Sequence, residues 1–310
     1  MAKSNAANGK ATKADVYARV TDRIIEDLNK GVRPWMKPWS TGRGAGDAFS
    51  RPLRHNGTPY RGVNVLLLWG EAQARGFESP TWMTYAQASE LGAQVRKGET
   101  GSLVVYADRY IRSVADEQGE ESERAIAFMK GYTVFNVEQI DGLPEKYTPE
   151  PAPVREPLAL DEAAEAFFTA TGAEFRYGGD RAFYSPAGDF IQLPKPEAFR
   201  DAASFAATKA HEAVHWSGSK DRNAREFGQR FGDRAYAFEE LVAELGAAFV
   251  CADLGITAEV QPDHAAYLSS WLEVLKADKR AIFSAAAHAQ RAVDFLQTLQ
   301  PASQAEPLAA

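Results

Sequence analysis

An α+β fold in two domains is what this 310-residue chain predicts, and three features carry the prediction. The length exceeds what a single hydrophobic core usually serves. Helical and strand periodicities mix in the first half and give way to a mainly helical pattern in the second. Between them Pro144, Pro149, Pro151, Pro153 and Pro157 crowd into one short stretch, which reads as a stiff, extended linker. The expected organisation is a disordered lead over residues 1–12, an α+β domain with an antiparallel sheet over 13–143, the linker over 144–157, a mainly helical domain with a small sheet over 158–300, and a disordered tail over 301–310.

Each element has its own signal. From Thr12 as N-cap, Val16, Val20, Ile24 and Leu28 recur every four residues until Gly31, the mark of an amphipathic helix. A Pro/Trp segment and a Gly/Arg segment follow, through Gly46, and read as loop. Tyr60 to Trp69 opens a buried helix, and Thr84 caps a short one that ends near Gly92. Leu103–Tyr106, Ala125–Phe128 and Tyr132–Val137 read as strands around an acidic hairpin tip beginning at Asp116. Past the linker, a helix is expected from Leu158 to Thr171 and a hairpin from Phe175 to Pro194, turning at residues 185–189. Helices over 201–217, 236–250, 265–275 and 280–299 close the chain.

Composition narrows the class. The hydrophobic fraction of 45% and charged fraction of 25% are those of an ordinary soluble globular protein. The single cysteine, Cys251, excludes an internal disulfide framework, and no window suits a signal peptide or a membrane span, so the expected address is the cytoplasm. The net charge of −7 conceals a split. Residues 1–110 hold 16 Lys plus Arg against 10 Asp plus Glu, a balance of +6, and the remainder holds 19 against 32, or −13. A basic front points to a polyanionic partner there, whereas an acidic rear argues against nucleic acid wrapping the whole molecule.

The sharpest chemical signal is His211-Glu212-Ala213-Val214-His215. Residues four apart share a helix face, so both imidazoles reach one metal ion while Glu212, one step round, serves as a base: the HExxH arrangement of zinc-dependent hydrolases. With five histidines in the chain, chance supplies such a string on the order of 0.01 times. A third protein ligand is required. Glu239, Glu240 and Glu244 lie on the next, otherwise apolar helix; Glu240 is expected to be the ligand and Glu244, four residues on, the partner that orients a histidine. Glu239 is then solvated or paired with a basic residue, and an exchange of roles between Glu239 and Glu240 stays open. Tyr236, Lys220, Arg222 and Arg225 are available as oxyanion donors, with structural roles the simpler reading. A metal there polarises a carbonyl and acidifies a water, and Glu212 takes the proton, which makes amide hydrolysis the implied chemistry. Zinc is the expected metal, with another divalent ion such as Mn2+ also compatible.

In the front half Trp35, Trp39, Tyr60, Trp69, Trp82 and Tyr85 interleave with Arg33, Lys37, Arg43, Arg51, Arg54 and Arg61. Aromatic faces stack on unpaired bases and cations meet phosphates, which is how sequence-tolerant single-strand binding is built. The expected DNA contacts are Arg33, Trp35, Lys37, Trp39, Arg43, Arg54, Tyr60, Arg61, Arg96 and Lys97. Trp69 sits among leucines and reads as core; Trp35 and Trp39 divide evenly between packing and stacking.

The strings Val32-Arg33-Pro34-Trp35, Lys37-Pro38-Trp39, Tyr60-Arg61-Gly62-Val63-Asn64, Thr84-Tyr85 with Gln87-Ala88, and Gly92 with Arg96-Lys97-Gly98 resemble the N-terminal domain of ArdC-type antirestriction proteins. Tyr184-Ser185-Pro186, His211-Glu212-Ala213-Val214-His215-Trp216 and Glu239-Glu240-Leu241-Val242-Ala243-Glu244-Leu245 resemble the zincin-like domain of the same family. The resemblance runs from about Lys13 to Leu299. It implies a plasmid- or phage-borne protein that binds single-stranded DNA through its front domain, carries a metallopeptidase fold behind it, and shields incoming DNA from host restriction. A host restriction enzyme or another protein is the implied protein partner, and no membrane is involved. The alternative is a DNA-binding protein without catalysis, in which the metal site is structural or grips a partner.

Overall fold

The computed structural model describes residues 13–35, 50–115, 121–147, 157–227, 233–256 and 265–301. The expected lead, the tail beyond residue 301, residues 116–120 of the acidic tip and most of the Pro-rich run lie outside them, as do Lys37, Trp39 and Arg43. The fold is α+β in two domains.

In the front domain the four-residue repeat forms α1 (Lys13–Asn29), with Val16, Val20, Ile24 and Leu28 all buried. β1 (Leu53–Arg54) precedes α2 (Val63–Arg75), which ends in a left-handed Gly76 that only glycine adopts without strain. β2 (Thr81–Met83) leads into α3 (Tyr85–Glu90). There Thr84 Oγ1 accepts from the Gln87 N–H while Gln87 Oε1 accepts from the Thr84 N–H, a reciprocal cap. β3 (Gln94–Val95), β4 (Ser102–Ala115), β5 (Glu121–Asn136) and β6 (Ile140–Asp141) complete the domain.

The main sheet runs β1-β2-β5-β4, antiparallel except for the parallel β1–β2 pair, and β3 pairs with β6 in a second small sheet. The two strand runs expected on either side of Lys130 are one continuous strand, because Lys130 and Gly131 stay in register with Tyr106 and Val105. At the edge of β4 the Asn64 side chain donates to the Val105 carbonyl at 2.8 Å and accepts from its N–H at 2.7 Å, covering backbone groups that would otherwise invite another strand. Residues at the start of the expected linker dock onto this domain: Tyr147 is buried and donates to the His55 carbonyl.

The rear domain begins with α4 (Pro157–Ala170). β7 (Glu174–Tyr177), β8 (Phe183–Ser185) and β9 (Phe190–Leu193) form a sheet ordered β7-β9-β8. β8 and β9 make the expected hairpin, while β7 runs parallel to β9 rather than within it. Then come α5 (Ala202–Ser217), α6 (Arg234–Leu254), α7 (Ala265–Ala277) and α8 (Ala281–Thr298). One hydrophobic cluster runs through both domains, from Val16 and Leu66 to Phe249, Trp271 and Leu296.

Candidate metal centre

α5 is fixed at both ends and along one side. Asp201 caps it by accepting from the Ser204 N–H at 2.7 Å. Lys209, fully buried on the same helix, reaches the Glu165 carboxylate at 2.7 and 2.9 Å and sits within 4.6–5.8 Å of the Phe168, Phe175, Tyr177 and Phe205 rings. That cation–π and charge-assisted anchor holds α5 against α4 and the sheet. On the other side Gly246 of α6 lets the helices approach so closely that a Cβ there would lie 2.7 Å from Val214 Cγ2.

The approach brings three donors together. His211 Nε2 and His215 Nε2 are 3.1 Å apart, and each lies 3.6 Å from an oxygen of Glu240. Four ligands placed tetrahedrally about an ion at ~2.0–2.1 Å are separated by about 3.3–3.4 Å; the 3.1 Å between the ring nitrogens is close to that, and the two 3.6 Å separations run one to each oxygen of Glu240. Two imidazoles and a carboxylate fit zinc or a similar divalent ion. Among the described residues this is the only group of three or more such side chains placed to hold a metal.

The partner of His215 is Glu239. Its Oε1 accepts from His215 Nδ1 at 3.1 Å, which leaves Nε2 facing the metal position. The orienting role expected of Glu244 at this histidine is thus filled by Glu239, because where α6 crosses α5 decides which carboxylate meets the ring. Glu239 in turn receives Arg225, whose Nε and Nη2 donate to it at 2.9–3.3 Å. The same guanidinium donates to the Ser217 hydroxyl and the Val214 carbonyl, closing the last turn of α5. Arg225 and Arg222 therefore take the structural reading: Arg222 ties Asp189 and Tyr184 of the hairpin to the Trp216 carbonyl and stacks 4.0 Å over the Trp216 ring. Lys220 is exposed.

Electrostatics follow from burial and pairing. Burial opposes charge on Glu240, yet hydrogen bonding to His211 and the field of both imidazoles hold its carboxyl down at about 2. Burial likewise opposes a charged His211, and Glu240 and Glu212 more than offset it, raising the imidazole above its usual value. Glu212 is pushed the other way: its burial outweighs the two imidazoles and raises the carboxyl, while its carboxylate accepts from the Tyr184 backbone N–H of β8. Tyr236, one helical turn before Glu240, hydrogen-bonds that carboxylate, and its hydroxyl lies 3.4 Å from that of Tyr267 on α7.

The front-half residues are placed differently from one another. Trp35 is 1% exposed and packs edge-on against Trp271, 5.9 Å between centroids, so packing settles the alternative left open for it. Tyr60 is buried beneath Arg54, which is exposed. Arg61 is ion-paired with Asp294 of α8, and Arg33 is half-buried. Arg96 pairs with Glu99 and Asp141 on an exposed turn, beside exposed Lys97. Arg51 lies buried against Asp253. Glu239 is paired with a basic residue as expected, but its contact with His215, which Arg225 supports, runs between elements and no spacing encodes it. No helix among the described residues is long and apolar enough to cross a membrane.

Comparison with known proteins agrees with both halves. Residues 14–135 match the N-terminal domain of anti-restriction factor ArdC, and residues 162–288 match a zincin-like metallopeptidase family. A protein of Sinorhizobium fredii, y4eC, is 43% identical over 298 residues, covering 94% of this chain and 95% of its own. The Escherichia coli DNA primase TraC is 37% identical across 92% of this chain, which spans only 27% of that longer protein. Among solved structures, the metal-free antirestriction ArdC protein of plasmid R388 superposes with a TM-score of 0.76 at 48% identity, covering 92% of this chain and 97% of that one. The Mn(II)-bound form of that protein gives 0.73 at 44%, covering 94% and 100%. With that extent of identity over both domains and in the same order, the chain belongs to the ArdC family of antirestriction proteins.

Proposed function

We propose that this protein protects incoming plasmid DNA from host restriction by combining single-stranded DNA binding in its front domain with a divalent-metal hydrolase site in its rear domain. The observation that carries the second half is the triangle of His211, His215 and Glu240 with the buried carboxylate of Glu212 beside it. A purely structural site has no use for a base at that position. Zinc is the metal this donor set favours; the Mn(II) bound by the R388 relative keeps manganese as the competing choice.

A bound divalent ion would supply carbonyl polarisation and a more acidic water. The chain's residues do the rest. Glu212 takes the proton from the attacking water and returns it to the leaving nitrogen, a task its raised carboxyl pKa suits. Glu239 and Arg225 hold His215 in the tautomer that presents Nε2. Tyr236 fixes the Glu240 carboxylate, and the Tyr236–Tyr267 phenol pair beside it can offer a hydrogen bond to a developing oxyanion. β8 is an edge strand next to Glu212 and offers an extended peptide the backbone it needs.

The first half rests on the match to the ArdC N-terminal domain and on the +6 balance of residues 1–110. Metal analysis and a titration with fluorescent single-stranded DNA test both parts. About one equivalent of metal per chain, lost in His211→Ala, together with DNA affinity that falls steeply with salt, is the expected result. Absence of bound metal after loading and dialysis sinks the hydrolase half; a flat salt response sinks the phosphate-contact half.

A further inference from the structure

Burial redistributes the aromatic residues of the front domain. Trp35, Trp69, Trp82 and Tyr60 are all buried, so none presents a ring face to solvent. The exposed large rings there, among the described residues, are Tyr85, Tyr106 and Tyr132, and two of these stand together. Tyr106 is 48% exposed and Tyr132 44%, with ring centroids 6.3 Å apart and planes at 80°. The register of β4 with β5 explains the pairing: Tyr132 lies opposite Val104 and Lys130 opposite Tyr106, so both rings and the lysine share one face as cross-strand and diagonal neighbours. The Tyr106 hydroxyl donates to Asp108 Oδ2 at 2.6 Å, which fixes its orientation. Further along the ribbon the register sets Arg112 opposite Arg124.

Two adjacent rings held in solvent on a rigid two-stranded ribbon are not explained by packing, since neither contributes to the core. Both rings reach solvent, and a nucleobase stacks on an exposed aromatic ring whatever its sequence. Lys130 beside them is placed for a phosphate, as charge complementarity to a polyanion requires. We propose that the Tyr106–Tyr132 face of the β4–β5 ribbon is a stacking platform for unpaired bases of single-stranded DNA, with Lys130 on an adjoining phosphate. The proposal rests on the reading that the front domain binds such DNA.

The test uses the full chain, a fluorescent thymidine oligonucleotide and a salt series. The variant Tyr106→Ala/Tyr132→Ala is expected to keep the unfolding midpoint of the parent, since both rings are exposed, and to lose about tenfold or more in affinity with an unchanged salt slope. Tyr106→Phe/Tyr132→Phe retains the parent affinity within about twofold, because stacking needs the ring and not the hydroxyl. Lys130→Gln reduces the salt slope by about one. A parent protein that fails to bind the oligonucleotide ends the DNA-binding reading and the platform with it. A parent that binds while the double alanine variant binds equally well refutes the platform alone, and places the bases elsewhere. Equal losses in the alanine and phenylalanine pairs overturn the stacking role.

Discussion

At the scale of single residues, the proposed metal position is shaped by groups outside the three-residue donor set. Arg225 holds Glu239, and Glu239 holds His215 Nδ1. Removing such a partner costs about 10–100-fold in metal affinity. Arg225→Met should therefore bind metal at least tenfold more weakly in a chelator competition, with all three ligands still present; an unchanged affinity would show that Glu239 orients the ring unaided. Glu212→Gln should keep metal and fold while abolishing hydrolysis of any substrate found, and persistence of cleavage would mean another group is the base. The sign of the pH dependence follows from His211. Burial alone would lower its pKa, but Glu240 and Glu212 raise it above 6.5, so the proton on the metal-free protein stabilises the fold fully below pH 6.5 and is lost as pH rises through the raised value. A metal competes with that proton. The rise in melting temperature on adding metal should accordingly be smallest below pH 6.5 and grow above it; a gain that shrinks with rising pH contradicts the ligand assignment. That His211, His215 and Glu240 lie together could be anticipated in the sequence, because the two histidines obey the phase of their own helix and the acidic run falls on the next. The pairing of Glu239 with His215 could not, since the phase of α6 says nothing about where α5 crosses it.

Among elements, α5 and α6 of the rear domain meet at a glycine. Glycine at 246 is required there by space rather than by backbone conformation, since a Cβ would sit 2.7 Å from Val214 Cγ2 and 2.9 Å from Cγ1. Gly246→Ala must push the helices apart or strain Val214, which costs about 1–3 kcal/mol. The expected outcome is a lower melting temperature together with weaker metal binding, because α5 carries the imidazoles and α6 carries Glu240. Adding Val214→Ala should recover part of both losses, and strict additivity of the two substitutions would show that they do not meet. Both helices could be read from the Ala-rich run around Ala206 and Ala210 and the apolar run after Glu240, as could the Thr84 cap of α3. Pairing between distant strands was less accessible. Nothing in the pattern of residues 174–177 distinguishes a strand parallel to β9 from one arm of a hairpin, and the Lys130-Gly131 pair that seems to interrupt β5 is accommodated because Gly131 lies opposite Val105, where a Cβ would meet Leu103 Cδ1 at 2.9 Å.

Over the whole molecule, the two domains meet through polar and aromatic contacts between residues 180 or more positions apart in the sequence. Arg51 donates to both oxygens of Asp253 at 2.6 and 2.9 Å and to Gln290, Arg61 pairs with Asp294, and Thr21 donates to the Lys279 carbonyl. Trp35 meets Trp271, Trp69 meets Phe249, and Tyr17 meets Phe283. A proline-rich stretch marks a change of composition, so it predicts two domains correctly, but it carries no information on whether their faces are apolar to one another. The faces that join here are parts of the same amphipathic helices that build each core, which is why α1 and α2 read as ordinary core helices in the sequence. One consequence concerns cooperativity. A shared core means that neither domain can lose its packing without exposing apolar surface of the other, so denaturant unfolding should be a single transition in which tryptophan fluorescence and metal release coincide. Arg51→Met tests this most directly. The substitution removes the buried cation and leaves the partly exposed Asp253 carboxylate to water and Gln297, at a cost below the ~3–5 kcal/mol seen when a fully buried pair is broken. Both probes should shift together to lower denaturant, although Arg51 lies in the front domain and the metal position in the rear one. If fluorescence shifts while metal release stays at the parent midpoint, the domains unfold independently, and the continuous core does not couple them.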